Sequence, residues 1–158
     1  MPFIEKRVAT IDGWVRRFWQ GSVDHRGVPN APGRVVTLVP DAAGSCAGVA
    51  YRIEGKVVEA IFSKLDYREK NGYQRHQVNL KFTPAEQQNG IVYIASQDNE
   101  AYLGPASSQA IAAQIRESAG PSGTNVEYLM QLAAALHRLE IDDDHVFEIE
   151  RLCAGMHS

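Results

Sequence analysis

The chain is predicted to adopt an α+β fold, on three observations. Short β-branched and alternating runs fill much of the first half. Apolar residues three and four apart mark helices later in the chain. The resulting order of strands, one helix, strands and then helices departs from a regular βαβ repeat. The geometry this order suggests is a small mixed β-barrel or curled sheet flanked by helices. With 158 residues and 44% hydrophobic content, residues 1–158 read as one compact domain.

Val8 to Gln20, with Trp14, Val15, Phe18 and Trp19, is expected as one extended strand. Val35 to Val39 forms a short β-branched run that Pro40, Asp41 and Gly44 are expected to stop. Gly48 to Ile53 forms another, ended by Glu54 and Gly55. Val58, Ile61, Phe62 and Leu65 share one face of a helix. Val78, Leu80 and Phe82 alternate with Gln77, Asn79 and Lys81, as in a half-buried strand. Pro84 and Gly90 are expected to flank a turn, with Ile91 to Ala95 as the next strand.

Three helices are expected after that. Ile111, Ala112 and Ile115 mark the first, with Ser107 or Ser108 as its N-cap. Val126, Leu129, Met130, Ala133, Leu136 and Leu139 form a long apolar stripe. It opens on Thr124-x-x-Glu127, a capping-box pattern. The last helix opens on Asp142, Asp143 and Asp144, charges that favour a helix N-terminus, and carries Val146, Phe147 and Ile149.

Sixteen Lys and Arg against nineteen Asp and Glu give a formal charge of -3, which argues against a nucleic-acid partner. Arg16, Arg17, Arg26 and Arg34 are a local exception: they either meet an anionic small molecule or are simply solvated. Cys46 and Cys153 match no metal or redox spacing, and Cys46 reads as a buried free thiol. No apolar run approaches the roughly 18 residues of a membrane span. The N-terminus has no signal-peptide pattern, so a cytoplasmic location is expected.

Several constellations fail on spacing. Ser22, Asp24 and His25 are nearly adjacent, so on an extended chain Asp24 and His25 point to opposite faces, and local turn hydrogen bonding explains Ser22 and Asp24 better than a triad. Gly44-Ser45-Cys46-Ala47-Gly48 places its Ser one position early for a nucleophile elbow. The five His residues form no H-E-x-x-H, no C-x-x-C occurs, and neither glycine-rich nucleotide motif is present. No metal is expected, and nucleotide binding has no support. Glu69 lies at a crowded helix end beside Gly72 and Tyr73. By itself it reads as a solvated terminus with local ion pairs. Tyr73, Tyr93 and Tyr102 read as strand or turn aromatics with their hydroxyls at a rim.

Residues 16–34 read RRFWQGSVDHRGVPNAPGR and residues 65–73 read LDYREKNGY. With PGRVVTLVPD at 32–41, GVAYRI at 48–53, DNEAYLGPAS at 98–107 and GPSGTNVEYL at 120–129, the chain resembles the ChaC-type glutathione-specific gamma-glutamylcyclotransferases from about Phe3 to Leu152. The resemblance implies a small β-barrel with helices around it. It implies glutathione as the small-molecule substrate and no cofactor. The glutamyl α-amine would attack its own side-chain amide, giving 5-oxoproline and cysteinylglycine. The family's acid/base carboxylate falls on Glu69, and Tyr73 and Tyr102 match tyrosines that line the substrate site. Glu127 and Tyr128 lie in the family's string too, but the capping box already explains Glu127.

The resemblance also carries departures. Relatives begin with a strand leading into a Tyr-Gly-Ser-Leu loop that holds the glutamyl carboxylate. No Tyr-Gly-Ser occurs in this chain, whose MPFIEKRVATIDGW start falls after that loop. The first strand is therefore expected to be missing, leaving a sheet edge with unpaired backbone groups. Ala47 stands where relatives commonly carry Trp. Two readings follow: an enzyme whose true start lies upstream or whose missing loop another segment replaces, or a truncated, inactive remnant that binds a peptide or partner. The resemblance leaves open whether Arg26 and Arg34 touch substrate or tie down the Gly/Pro-rich segment.

Overall fold

The computed structural model describes residues 5–55, 58, 63 and 73–155. Four strands form the main sheet: β1 (Glu5–Ser22), β2 (Gly33–Arg52), β3 (Tyr73–Lys81) and β4 (Gln87–Ala95), in the order β2-β1-β3-β4. A two-stranded hairpin of β5 (Ala119–Gly120) and β6 (Gly123–Thr124) and the helices α1 (Ser108–Glu117), α2 (Asn125–Arg138) and α3 (Asp144–Ala154) complete the described elements. The α+β class is as expected. The barrel is not: closure needs the outermost strands to pair, and among the described residues β2 and β4 each keep a single neighbour in an open sheet. Four strands of ordinary twist curl a sheet without bringing its ends together.

Contacts group the chain into two units: residues 1–15 with 40–100, and residues 16–39 with 101–158. In the first, β3 and β4 pair antiparallel from Tyr73↔Ala95 to Lys81↔Gln87. The turn between them closes through Phe82 N–H to Glu86 O at 2.9 Å, and Thr83 Oγ1 accepts from Glu86 N–H at 3.0 Å. Gly90 was expected beside that turn. It lies instead inside β4 opposite Val78, where a Cβ would come within 2.5 Å of Leu80 Cδ1. The glycine makes room for a neighbouring leucine rather than ending a strand.

The two runs on either side of Pro40 are one strand, β2, and this too corrects the sequence reading. β2 is an outer strand among the described residues, and Pro40 is exposed there, so its missing N–H removes no ladder bond that matters. Gly44 also continues the strand. A Cβ there would lie 2.4 Å from Val15 Cγ1 on neighbouring β1, so the glycine allows a close approach. β1 itself is the long strand expected, relieved at Gly13 by a φ of +87° that non-glycine residues rarely adopt. Ala9, Ile11, Cys46, Val78, Ile94 and Ala95 are buried in this unit.

The second unit buries Phe18 among Ile111, Ile115, Leu129, Val146 and Ile149, all at or below 2% exposure. The helix starts follow the sequence reading. Ser107 Oγ accepts from Ala110 N–H, Thr124 Oγ1 from Glu127 N–H and Asp143 Oδ1 from Val146 N–H, at 3.0–3.1 Å. α2 ends in a Schellman motif: Glu140 N–H donates to His137 O at 3.1 Å and Ile141 N–H to Leu136 O at 2.9 Å. Glu140 takes the left-handed position at φ 58°, where glycine is usual, and buried Ile141 and Leu136 close the motif. Of the helix expected over Val58, Ile61, Phe62 and Leu65, Val58 and Ser63 are described, and both are helical. Ile61, Phe62 and Leu65, with Glu69, lie outside the described residues.

Candidate functional site

Tyr102 is held by the end of β1. Gln20 and Tyr102 form an antiparallel bridge. On either side, Gly21 N–H donates to Ala101 O at 2.7 Å, and Trp19 O accepts from Leu103 N–H at 2.8 Å and Gly104 N–H at 3.1 Å. Residues 101–104 are thus laid beside residues 19–21 as a short added strand, with Tyr102 half-buried. A phenol in this setting can donate or accept a hydrogen bond at a rim. Tyr73 belongs to the other unit, where it opens β3 opposite Ala95 and is also half-buried.

The glycine-rich segment before β2 owes its composition to backbone packing. A Cβ at Gly27 would fall 2.1 Å from Gly33 N, and one at Gly120 would fall 2.6 Å from Gly27 N. Ser22 Oγ accepts from Arg26 N–H at 2.9 Å, the local turn role expected of it. The Arg26 guanidinium donates to Thr124 O at 3.2 Å and lies 3.7 Å from Glu127, so it ties this segment to the start of α2. Arg34 is only 7% exposed, and burial depresses its pKa. It donates through Nε to Gln114 Oε1 at 2.7 Å and through a terminal nitrogen to Phe18 O at 2.8 Å. These contacts of Arg26 and Arg34 are those of a tether, the second of the two alternatives left open for them.

Asn125, which the sequence did not single out, is fully buried and acts as a strand partner for Arg34. Its Oδ1 accepts from Arg34 N–H at 2.7 Å and its Nδ2 donates to Arg34 O at 2.8 Å. Three residues on, Tyr128 Oη accepts from Val36 N–H at 3.2 Å. The GPSGTNVEYL string therefore fastens α2 to β2, within one unit.

The ChaC-like protein family model matches residues 1–155. The chain belongs to the ChaC-like family. It is 39% identical to glutathione-specific gamma-glutamylcyclotransferase 1 of Homo sapiens over 153 residues, covering 93% of this chain and 69% of that protein. The protein of the same name from Mus musculus is 42% identical over 135 residues, covering 83% of this chain but 60% of its own length. A crystal structure of a gamma-glutamyl cyclotransferase specific to glutathione from yeast matches with a TM-score of 0.86 at 29% identity, covering 99% of this chain and 92% of that one.

In this ChaC-like chain, no group of three or more His, Cys, Asp and Glu among the described residues is placed to hold a metal ion. No described helix is long and apolar enough to cross a membrane. Cys46 and Cys153 are both buried and form no disulfide, as the apolar surroundings of Cys46 suggested. Of the site residues read from the sequence, Tyr73 and Tyr102 are described in different units, and Glu69 is not described.

His145 is a second residue that no motif or spacing singles out. Its Nε2 accepts the Phe18 N–H at 2.9 Å, which requires the neutral ring with its proton on Nδ1. Burial, helped by the charge of Arg17 and opposed by Asp143, lowers its pKa to about 4. Asp143 meanwhile caps α3 and pairs with Arg16 at 2.7 Å. The unfolded chain therefore takes up a proton near pH ~6.5 that the folded chain refuses until about 4. This contribution is complete above pH ~6.5 and is lost as the pH falls towards about 4. The half-buried ring is screened by solvent, so the loss is on the order of 1–2 kcal/mol. Denaturant unfolding at pH 7 and pH 4.5 checks this. His145→Gln, which keeps an acceptor for Phe18 N–H, is expected to lose less stability over that interval than the wild type, and equal losses contradict the assignment.

Proposed function

We propose that this chain is a glutathione-specific gamma-glutamylcyclotransferase that uses no cofactor. The observation carrying this reading is that relatives bearing that name match 93% and 83% of the chain at 39% and 42% identity. In the reaction, the glutamyl α-amine bonds to the γ-carbonyl carbon and the C–N bond to cysteine breaks. The products are 5-oxoproline and cysteinylglycine, with no water consumed. At neutral pH the amine begins as an ammonium, so a base must remove a proton before attack, and the leaving nitrogen must gain one. Glu69 fills both roles in the proposal, because a single carboxylate within reach of both nitrogens can serve first as base and then as acid. Tyr73 and Tyr102 bind the substrate. Holding glutathione in a reactive conformation supplies much of the remaining rate, because ring closure is intramolecular.

The proposal includes action as one domain over residues 1–158 and a cytoplasmic location, which two buried cysteines outside any disulfide support. It includes no nucleic-acid partner, in keeping with the charge of -3. The test is incubation of the purified protein with reduced glutathione. Equimolar 5-oxoproline and cysteinylglycine are expected, and a folded sample that releases neither contradicts the proposal.

A further inference from the structure

We infer that Gly21 is a positioning residue for the proposed reaction, acting through Tyr102. The inference rests on the substrate-binding role proposed above for Tyr102. Gly21 forms the floor on which residues 101–103 lie. A Cβ at this position would stand 2.5 Å from Ala101 O and 3.3 Å from Leu103 Cγ. The first contact is with backbone, which cannot swing aside as the end of a side chain can. It involves the same carbonyl that accepts the Gly21 N–H at 2.7 Å. Gly21 does not have the left-handed φ recorded at Gly104, so its need for glycine is one of space and not of backbone conformation.

Any added side chain must push the 101–103 segment away from β1, and Tyr102 is the middle residue of that segment. Its other neighbour is Gly104, which turns the chain at φ +77° with the Tyr102 ring 3.6 Å from where its Cβ would stand. A glycine thus borders the Tyr102 segment on each side, with the Gln20 bridge between them. Displacing a group that orients substrate by about 1 Å can cost on the order of 10²-fold in rate. Gly21 therefore sets the geometry of the site without touching the substrate.

A double-mutant cycle on 5-oxoproline release tests the inference, using Gly21→Ala, Tyr102→Phe and the double variant, with kcat and KM measured separately. Gly21→Ala is expected to lower kcat/KM by roughly 10-fold or more in the wild-type background and by less than about 2-fold in the Tyr102→Phe background. Equal losses in both backgrounds, or no loss in Gly21→Ala, overturn the inference. So does a Tyr102→Phe variant as active as the wild type. Where Gly21→Ala does not fold, Gly104→Ala takes its place in the same cycle with the same expectation. A wild type that releases no 5-oxoproline is a different failure, since it removes the proposed function and this inference together. An active wild type with additive losses removes this inference alone.

Discussion

Glu69→Gln is expected to lower 5-oxoproline release from glutathione by about 10²–10⁴-fold while leaving the protein folded. The carboxamide is close to the carboxylate in size and can still hydrogen-bond. It cannot take a proton from the ammonium or return one to the leaving amine. The loss should therefore appear in kcat, with KM changed little, because the substituted group moves protons and does not hold the substrate. Initial rates across a range of glutathione concentrations, with circular dichroism on the same samples, separate the two effects. A loss of less than 10-fold would move the acid/base role to another residue.

Asn125→Ala is expected to produce the largest loss of stability, about 3–5 kcal/mol. The side chain is fully buried and satisfies both backbone groups of Arg34, at 2.7 and 2.8 Å. Removing it leaves a donor and an acceptor without partners in a buried strand, at about 1–3 kcal/mol each, and opens a small cavity. Asn125→Asp separates the contributions, because it keeps an acceptor for Arg34 N–H but loses the donor to Arg34 O and buries a charge. Denaturant unfolding at neutral pH measures both variants. A change below 1 kcal/mol in Asn125→Ala would mean that Arg34 finds other partners and that the clamp is incidental.

The elements legible in the sequence were those whose cause is local. Ser107, Thr124 and Asp143 cap their helices through N–H groups three residues on, a spacing visible in the sequence itself. The Leu129, Ala133 and Leu136 stripe is the buried face of α2, and Val78 is buried between exposed Gln77 and Asn79. Pro40, Gly44 and Gly90 misled because their usual meaning is to break an element. Here Pro40 sits on an outer strand, and the two glycines clear space for Val15 and Leu80. Those facts depend on neighbouring strands and not on adjacent residues.

The candidate site divides along the same line. The string around Tyr102 and the one around Glu69 stood out through resemblance. The bridge from Gln20 to Tyr102 and the Asn125 clamp on Arg34, 91 residues away, arise only when distant segments meet. His145 is the extreme case. Its accepted bond comes from a backbone N–H 127 residues away, which leaves no periodicity or motif to read.

Cyclisation within the substrate takes no oxygen from water, so the origin of the product oxygen distinguishes it from hydrolysis. Glutathione turned over in H₂¹⁸O is expected to give 5-oxoproline and cysteinylglycine in equal amounts, neither enriched in ¹⁸O, because the amine and not water attacks the carbonyl. Glutamate carrying one ¹⁸O would show hydrolysis and rule out cyclisation. So would unchanged glutathione recovered from a folded sample.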